Sequence, residues 1–296
     1  MDKNLWLRAL QLDSEFNRRG EETSRIKLQE SLQIPQAEAQ HIVWCLENKD
    51  IIKCNPDKFN ADGEKALIFC DIHFPFQDKL AVSSMIEHAV NYQPTIIIIN
   101  GDLIDFYQIS TFVKNPSQKG VSSEIKETKS FLENLRYLFP NARIIYKSGN
   151  HEDRMEKYIF QSAPKISDLI DDLLPVKLGL HNLKIEYQIE PFSLGKLWIL
   201  HGHEKPGGAY NPEYICNVIW QYVHDHFCVG HFHRGQEKIF KNISGDTFWT
   251  CAIPYLAGKM DYAPLNKWSQ GFIEVDFSQK GHFKGRTIKI IDGQIY

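Results

Sequence analysis

Ala66-Leu-Ile-Phe-Cys70 is an apolar run of strand length, and it passes without a break into Asp71-Ile-His73. The same sequence event recurs four more times. Thr95-Ile-Ile-Ile-Ile99 leads through Asn100 into Gly101-Asp102-Leu-Ile-Asp105, and Arg143–Lys147 leads through Ser148 into Gly149-Asn150-His151-Glu152. Leu197–Leu200 runs into His201-Gly-His203, and Phe227–Val229 runs into Gly230-His231-Phe-His233. Amphipathic helices separate the early strands, one carrying Val82, Met85, Ile86 and Ala89, the next Ile125, Leu132, Leu135 and Phe139. The last third adds strands at Phe248–Ile253, Gly271–Phe277 and Arg286–Ile291. Alternating strands and helices predict an α/β layered fold with a mixed sheet. In such sheets the strand ends converge on one crevice, so the five polar motifs can meet in space.

Working outward, the first 60 residues read differently. Leu5, Ala9, Leu12 and Phe16 recur at helical spacing, Ser24 caps a second helix with Leu28 and Leu32, and Ile34-Pro35 ends it. A third helix carries Ala39, Ile42, Val43 and Leu46, and Ile51-Ile52 begins a small strand. Helix, turn, helix and a wing-like strand resemble a winged helix-turn-helix module over residues 1–60. Its functional reading is DNA binding; the competing reading is a docking or oligomerisation module. The module holds nine Lys/Arg and ten Asp/Glu, and its recognition segment, Gln36-Ala-Glu-Ala-Gln-His-Ile-Val43, offers little to a phosphate backbone. Asn60–Glu64 is a polar hinge, and residues 64–296 form the second domain.

Composition narrows the remainder. The 296 residues carry 34 basic and 37 acidic side chains, a net charge of −3, so no global positive field advertises a polyanionic partner. A hydrophobic fraction of 43% supports a real core and excludes disorder as the dominant state. The apolar runs fall far short of the ~20 residues of a spanning helix. Met1-Asp-Lys-Asn-Leu-Trp6 lacks a signal-peptide pattern, so the expectation is a cytoplasmic protein without a membrane partner. Cys45, Cys54, Cys70, Cys216, Cys228 and Cys251 never form C-x-x-C and read as reduced thiols. Trp198, Trp220 and Trp249 sit in apolar contexts and read as core, and the acid-rich helix at Asp168–Asp172 as a solvated face.

The motif residues are of one chemical kind. Asp71/His73 and His231/His233 are i, i+2 pairs, which a strand's period of two points the same way. Carboxylates, imidazoles and an asparagine carbonyl make the ligand set of divalent metals, and there are too many for one ion. Any single motif is weak evidence. Five in order, each at a strand end, leave little room for unrelated loop polars.

D-x-H, G-D-x-x-D, G-N-H-E, H-G-H and G-H-x-H in this order resemble the calcineurin-like metallophosphoesterase superfamily, from about residue 64 to about residue 280. The resemblance implies a four-layer double β-sandwich with a dinuclear centre at its edge. By motif position Asp71, His73, Asp102 and His233 would hold one ion. Asp102 would bridge to a second, held by Asn150, His201 and His231. Manganese is the first choice, with iron, zinc, nickel and magnesium as alternatives. The implied chemistry is attack by a metal-bridging hydroxide, with His151 assisting the leaving group. Asp105 would orient His151, and Glu152 is a rival for that task. His203 is read as either supporting the ligands from behind or facing the substrate. Arg154 and Arg234 could reach a phosphate, or lie solvated on the surface.

Two departures bear on the branch. Protein phosphatases of this superfamily carry arginine directly after G-D-x-x-D, where this chain has Phe106, and they lack the terminal G-H-x-H. Both point toward phosphodiesterase and nuclease-like branches, with Glu204–Pro212 as a substrate-shaping loop. The expected function is therefore a dinuclear phosphodiesterase, with nucleic acid or nucleotides as candidate substrates. The alternatives are a phosphomonoesterase of the protein-phosphatase kind, or a non-catalytic DNA-binding protein that works through the helical module.

Overall fold

The computed structural model describes residues 25–34, 58–59, 61–111, 114–115, 117–165, 173–205, 212–259 and 267–296, with Arg8, Leu12 and Phe16. The chain divides into two compact units, Met1–Pro56 and Asp57–Tyr296. In the first, helix α1 (Arg25–Leu32) forms where the spacing of Leu28 and Leu32 predicts it, and Gln33 ends it in the left-handed region at φ 54°. Leu12, Phe16 and Leu28 are buried, with the Lys27 ammonium 5.3 Å from the Phe16 ring centre. The expected third helix at Ala39–Leu46 and the strand at Ile51-Ile52 lie outside the described residues, as does Asp168–Asp172.

The second unit holds two sheets. One takes its strands from β2 (Lys65–Phe69), β3 (Ile96–Asn100), β4 (Arg143–Lys147), β5 (Ile185–Gln188), β11 (Gln270–Phe277), β12 (Phe283–Ile291) and β13 (Gln294–Ile295), in the order β13-β12-β11-β2-β3-β4-β5. The other is ordered β1-β6-β7-β8-β10-β9 and comprises β1 (Lys58–Phe59), β6 (Phe192–Leu194), β7 (Leu197–Leu200), β8 (Phe227–Val229), β9 (Gln236–Lys241) and β10 (Thr247–Ala252). Helices α2 (Lys79–Tyr92), α3 (Val121–Leu138), α4 (Asp153–Ser162), α5 (Leu173–Leu178) and α6 (Ile215–Val223) complete it.

The strands read as unbroken apolar runs because both of their faces are covered. Ala66, Ile68, Ile96, Ile98 and Ile145 turn inward onto Phe192, Leu194, Leu197 and Ile199 of the facing sheet. Their neighbours Leu67, Phe69, Ile97, Ile99, Ile144 and Tyr146 turn outward onto Met85 and Ala89 of α2 and Leu132 and Leu135 of α3. On the far side, Phe227 and Val229 pack with Ile215, Cys216 and Ile219 of α6. The result is helix, sheet, sheet, helix: the four-layer double β-sandwich. Trp198 and Trp220 pack partly buried on that far side, and Trp249 against the inter-sheet core. Among the described residues no helix is long and apolar enough to cross a membrane.

Strands β2, β3, β4 and β5 run parallel, as do β7, β8 and β10, so each set delivers its C-terminal ends to one edge. The two edges are stitched together: Asn100 Nδ2 donates to Leu200 O at 2.7 Å, and His231 N donates to Asp71 Oδ2 at 3.1 Å.

The break between units falls ahead of the expected module end at residue 60, because Lys58–Phe59 pairs with β6. Phe59 packs edge-on against Phe192 with ring centres 5.6 Å apart, and the Arg143 guanidinium lies 4.0 Å from its ring centre. Phe59→Ala should therefore lower stability by up to about 2 kcal/mol, read as an earlier urea midpoint with unchanged ion binding. A chain beginning at Ala61 should show the same deficit relative to one beginning at Asp57; equal stability of the two would show that β1 contributes nothing.

Candidate metal centre

The loops that carry the candidate ligands are strained. Asp71, His73, Asp102, His231 and His233 all adopt positive φ, between 51° and 71°. Such conformations cost a non-glycine residue about 1–3 kcal/mol each and persist only where the surroundings over-determine them. Here the first two loops are zipped together: Asp71 N donates to Gly101 O at 3.1 Å, His73 N to Asp102 O at 3.0 Å, and Phe74 N to Leu103 O at 2.8 Å. Glu152 clamps the second and third loops. Its carboxylate accepts from Gly149 N (2.7 Å), Asp102 N (2.9 Å), Leu103 N (2.9 Å) and the Tyr146 hydroxyl (2.6 Å). Gly149 is required by this approach, since a Cβ there would sit 2.3 Å from Asp102 Oδ1.

Among the described residues three clusters of ligand type result, one of them His73, Asp105 and His151, and the other two share a carboxylate. Asp71, His73, Asp102 and His233 form one, and Asp102, His201 and His231 the other, each with its ligand atoms within 4.8 Å of one another. In the first, His73 Nε2 and His233 Nε2 are 3.0 Å apart, and His233 Nε2 lies 3.2 Å from Asp71 Oδ1. In the second, His201 Nε2 is 3.2 Å from Asp102 Oδ2. Asp71 Oδ1, Asn150 Oδ1, His201 Nε2 and His231 Nδ1 are buried without a hydrogen bond of good geometry. Buried polar atoms are rarely left so; Asp71, His201 and His231 belong to the two clusters, and Asn150 Oδ1 is a carbonyl of ligand type beside His151, whose amide donates to Asp102. The tautomers agree. His73 Nδ1 faces Asp105 Oδ1 at 3.2 Å and His201 Nδ1 faces Asn100 O at 2.7 Å, which leaves each Nε2 free to ligate. The residues present fit a pair of divalent ions.

Electrostatics give the same picture. Burial opposes a charge on His73, but its hydrogen bonds to Asp105 and Asp71 outweigh it and push the imidazole up to about 10. Burial likewise opposes His201, and Asp102 and Asp71 raise it to about 10. His231 falls to about 4, through burial and then the like charge of His201, and burial also lowers His233. Asp71 and Asp102 resist their own burial because histidines surround them, and stay well below the usual carboxylate range. Without an ion, each cluster thus keeps one imidazolium where a cation's charge belongs.

Beside the clusters stands His151. Its Nδ1 lies 2.9 Å from Asp105 Oδ1, so Asp105 is the carboxylate behind it, while Glu152 is committed to backbone amides. Asp105 also holds His73, which joins a candidate ligand and His151 through one side chain. Despite burial, these two histidines keep the Asp105 carboxyl far below its ordinary range. Arg154 reaches the site, with Nη1 donating to Asp105 O at 2.7 Å and Nη2 lying 2.8 Å from His151 Nε2. Arg234 instead lies 3.7 Å from Glu213, which also holds Lys267 at 2.6 Å in a surface ion-pair cluster. His203 is half-buried between Asp153 (3.8 Å) and Glu204 (3.9 Å), with its ring 5.4 Å from that of His201. Phe106 is fully buried in the helix-side core and takes no part in the site. The clamp role of Glu152 was missed in the sequence, where only its place in G-N-H-E marks it.

Paired ligand clusters fit for cations, at the joined edge of a double β-sandwich, define the class: a metal-dependent phosphoesterase. The model of the calcineurin-like phosphoesterase family matches residues 65–237, and the chain belongs to that family. The Gene 54 protein of Mycobacterium phage L5 is 22% identical over 253 residues, covering 78% of this chain and 96% of that protein. Among solved structures, a single-substitution variant of Vps29 from Entamoeba histolytica is similar at TM-score 0.42 and 13% identity, covering 78% of this chain and 96% of that one. YfcE, a phosphoesterase from E. coli, is similar at TM-score 0.34 and 14% identity, covering 75% and 98%.

Asp102→Asn should cut the ion content of the purified chain and abolish phosphoester hydrolysis, because it weakens the one side chain common to both clusters. Elemental analysis finding two tightly held ions in that variant would remove Asp102 from the shared position. Ion binding must also expel the protons held by His73 and His201. Affinity should therefore rise with pH and fall by about tenfold per unit for each proton displaced as pH drops from 9 to 6, which is checked by titrating manganese at several pH values.

Proposed function

We propose that the chain is a dinuclear phosphodiesterase acting on nucleic acid or nucleotides. Asp71, His73, Asp102 and His233 would hold one ion, and Asp102, Asn150, His201 and His231 the other, with manganese as the preferred metal. The observation that carries this reading is the pair of buried clusters sharing Asp102. Two divalent ions bound there would acidify an attacking water and offset charge on the phosphoryl group.

The chain's own residues supply the rest. His151 Nε2 lies 3.7 Å from Asp102 Oδ2, which turns it toward the clusters, and Nδ1 donates to the main-chain Asp105 O at 2.9 Å. With Nδ1 held at Asp105, His151 presents Nε2 to the site, where a proton taken up from solvent would pass to the departing oxygen. Arg154 is a donor only and sits on that same nitrogen. A phosphoryl oxygen is a stronger acceptor, and drawing Arg154 onto it frees Nε2 for its proton. Preference for diesters is supported by the described arginines, of which Arg154 reaches His151 while Arg234 is turned to Glu213. A diester carries about one negative charge and a monoester nearly two, so a monoester site benefits from additional cations. Phe106 stands in the core where the protein-phosphatase branch has arginine, and Arg234 is engaged with Glu213.

His151→Asn should keep both ions yet lose about 10²–10⁴-fold in rate, with the loss shrinking for substrates whose leaving group needs no proton. Equal losses for good and poor leaving groups would remove the acid role. With manganese and a matched leaving group, diester hydrolysis should exceed monoester hydrolysis; the reverse order would place the chain in the monoesterase branch. A panel of single- and double-stranded DNA, cyclic dinucleotides and a generic diester then separates the substrate classes.

A further inference from the structure

Lys147 closes β4, immediately before the loop that carries Asn150, and its side chain is wholly buried. Its ammonium donates to Ser148 O at 2.9 Å and Ile189 O at 2.8 Å, and lies 2.8 Å from Glu204 Oε1. Those three acceptors use all three of its protons. Glu204 in turn folds back on the loop it ends, accepting from His201 N at 3.0 Å and Gly202 N at 2.5 Å. Gly202 sits at φ 120°, a conformation open to glycine and rarely to other residues, and Glu204 closes the turn from its side. Burial disfavours the Glu204 carboxylate, yet Lys147 and His203 keep it well below its usual range.

Nothing in the proposed chemistry uses this pair, and a buried ion pair is weak evidence for stability, because desolvation offsets much of the attraction. What the pair does is geometric. His201 is held at its ring by Asn100 O and at its backbone by Glu204. Through Lys147, Glu204 ties the His201 loop to the strand that leads into Asn150. His201 and Asn150 belong to the same ion in the reading above, and no residue assigned solely to the other ion touches the pair.

We infer that Lys147 and Glu204 are positioning residues for one ion of the two, the one assigned to Asp102, Asn150, His201 and His231. The inference rests on the proposed dinuclear reading. Supporting residues behind metal ligands typically change affinity by about 10–100-fold.

The test is equilibrium dialysis of the full chain against manganese chloride, with folding followed by circular dichroism. The wild type should bind two ions per chain. Glu204→Ala should keep one at wild-type affinity and weaken the other by about 10–100-fold. Because Glu204→Ala strands a buried ammonium, the double variant Lys147→Met/Glu204→Gln, which removes both charges and the tether, should show the same single-ion loss if Glu204→Ala does not fold. Glu274→Gln, which disrupts a buried pair with His88 and Arg286 outside the site, should leave both ions unchanged. In a His231→Ala background, where the first ion alone should stay tight, adding Glu204→Ala should leave its affinity as it was. Equal weakening of both ions, no weakening of either, or a further loss of tenfold or more in the His231→Ala background overturns the inference. A folded wild type that binds fewer than two ions overturns the dinuclear reading itself.

Discussion

The site is organised around a single buried carboxylate that never needs to meet a substrate. Glu152 gathers four backbone amides from two loops and the Tyr146 hydroxyl onto its two oxygens. Amides buried this deeply cost several kcal/mol if left unpaired, and Glu152 answers all of them from one point. Asp102, the residue shared by both clusters, hangs by its own backbone from this clamp, and Gly149 packs against its side chain. Remove the clamp and the G-D and G-N-H-E loops lose their common register, and with it the distance between the clusters.

Around that clamp the structure concentrates features that a stable core avoids. Five of the candidate ligands have left-handed backbones, two carboxylates are fully buried, and several ligand-type atoms are buried without a hydrogen bond. Such an arrangement is stable only on a rigid support, and the double sandwich provides one. Its inter-sheet core of Ile, Val, Leu and Phe side chains lies directly beneath the strand ends. Protons on His73 and His201 neutralise the clusters in the absence of cations, which is why the same histidines make ion binding sensitive to pH.

Asp105 adds a connection between chemistry and ligation. It accepts from His73 on one side and lies 2.9 Å from His151 Nδ1 on the other, so one carboxylate sits against both a candidate ligand and His151. Arg154 lies against the same group and the same imidazole. The helix-side core, by contrast, absorbs Phe106 completely, so a motif position one residue from Asp105 contributes packing alone.

Much of this was legible in the residues themselves. The inward and outward alternation of Ala66–Phe69 and Ile96–Ile99 follows from the period of two, and both faces are buried because every position is apolar. The strand ends could be read from the abrupt change to Asp, Asn, Gly and His. Shorter and more polar elements escaped: β9 is largely exposed and rich in Gln, Glu and Lys, and β1 has two residues that are held only by their pairing to β6. The sequence by itself therefore determined which residues are available to hold cations and which strands deliver them, since both depend on local composition and spacing. Tertiary structure alone decided how they are shared out. Asp105 rather than Glu152 stands behind His151, Arg154 rather than Arg234 reaches the site, and Lys147 meets Glu204. Those choices depend on distances between loops far apart in the chain, which only the packing of two sheets sets.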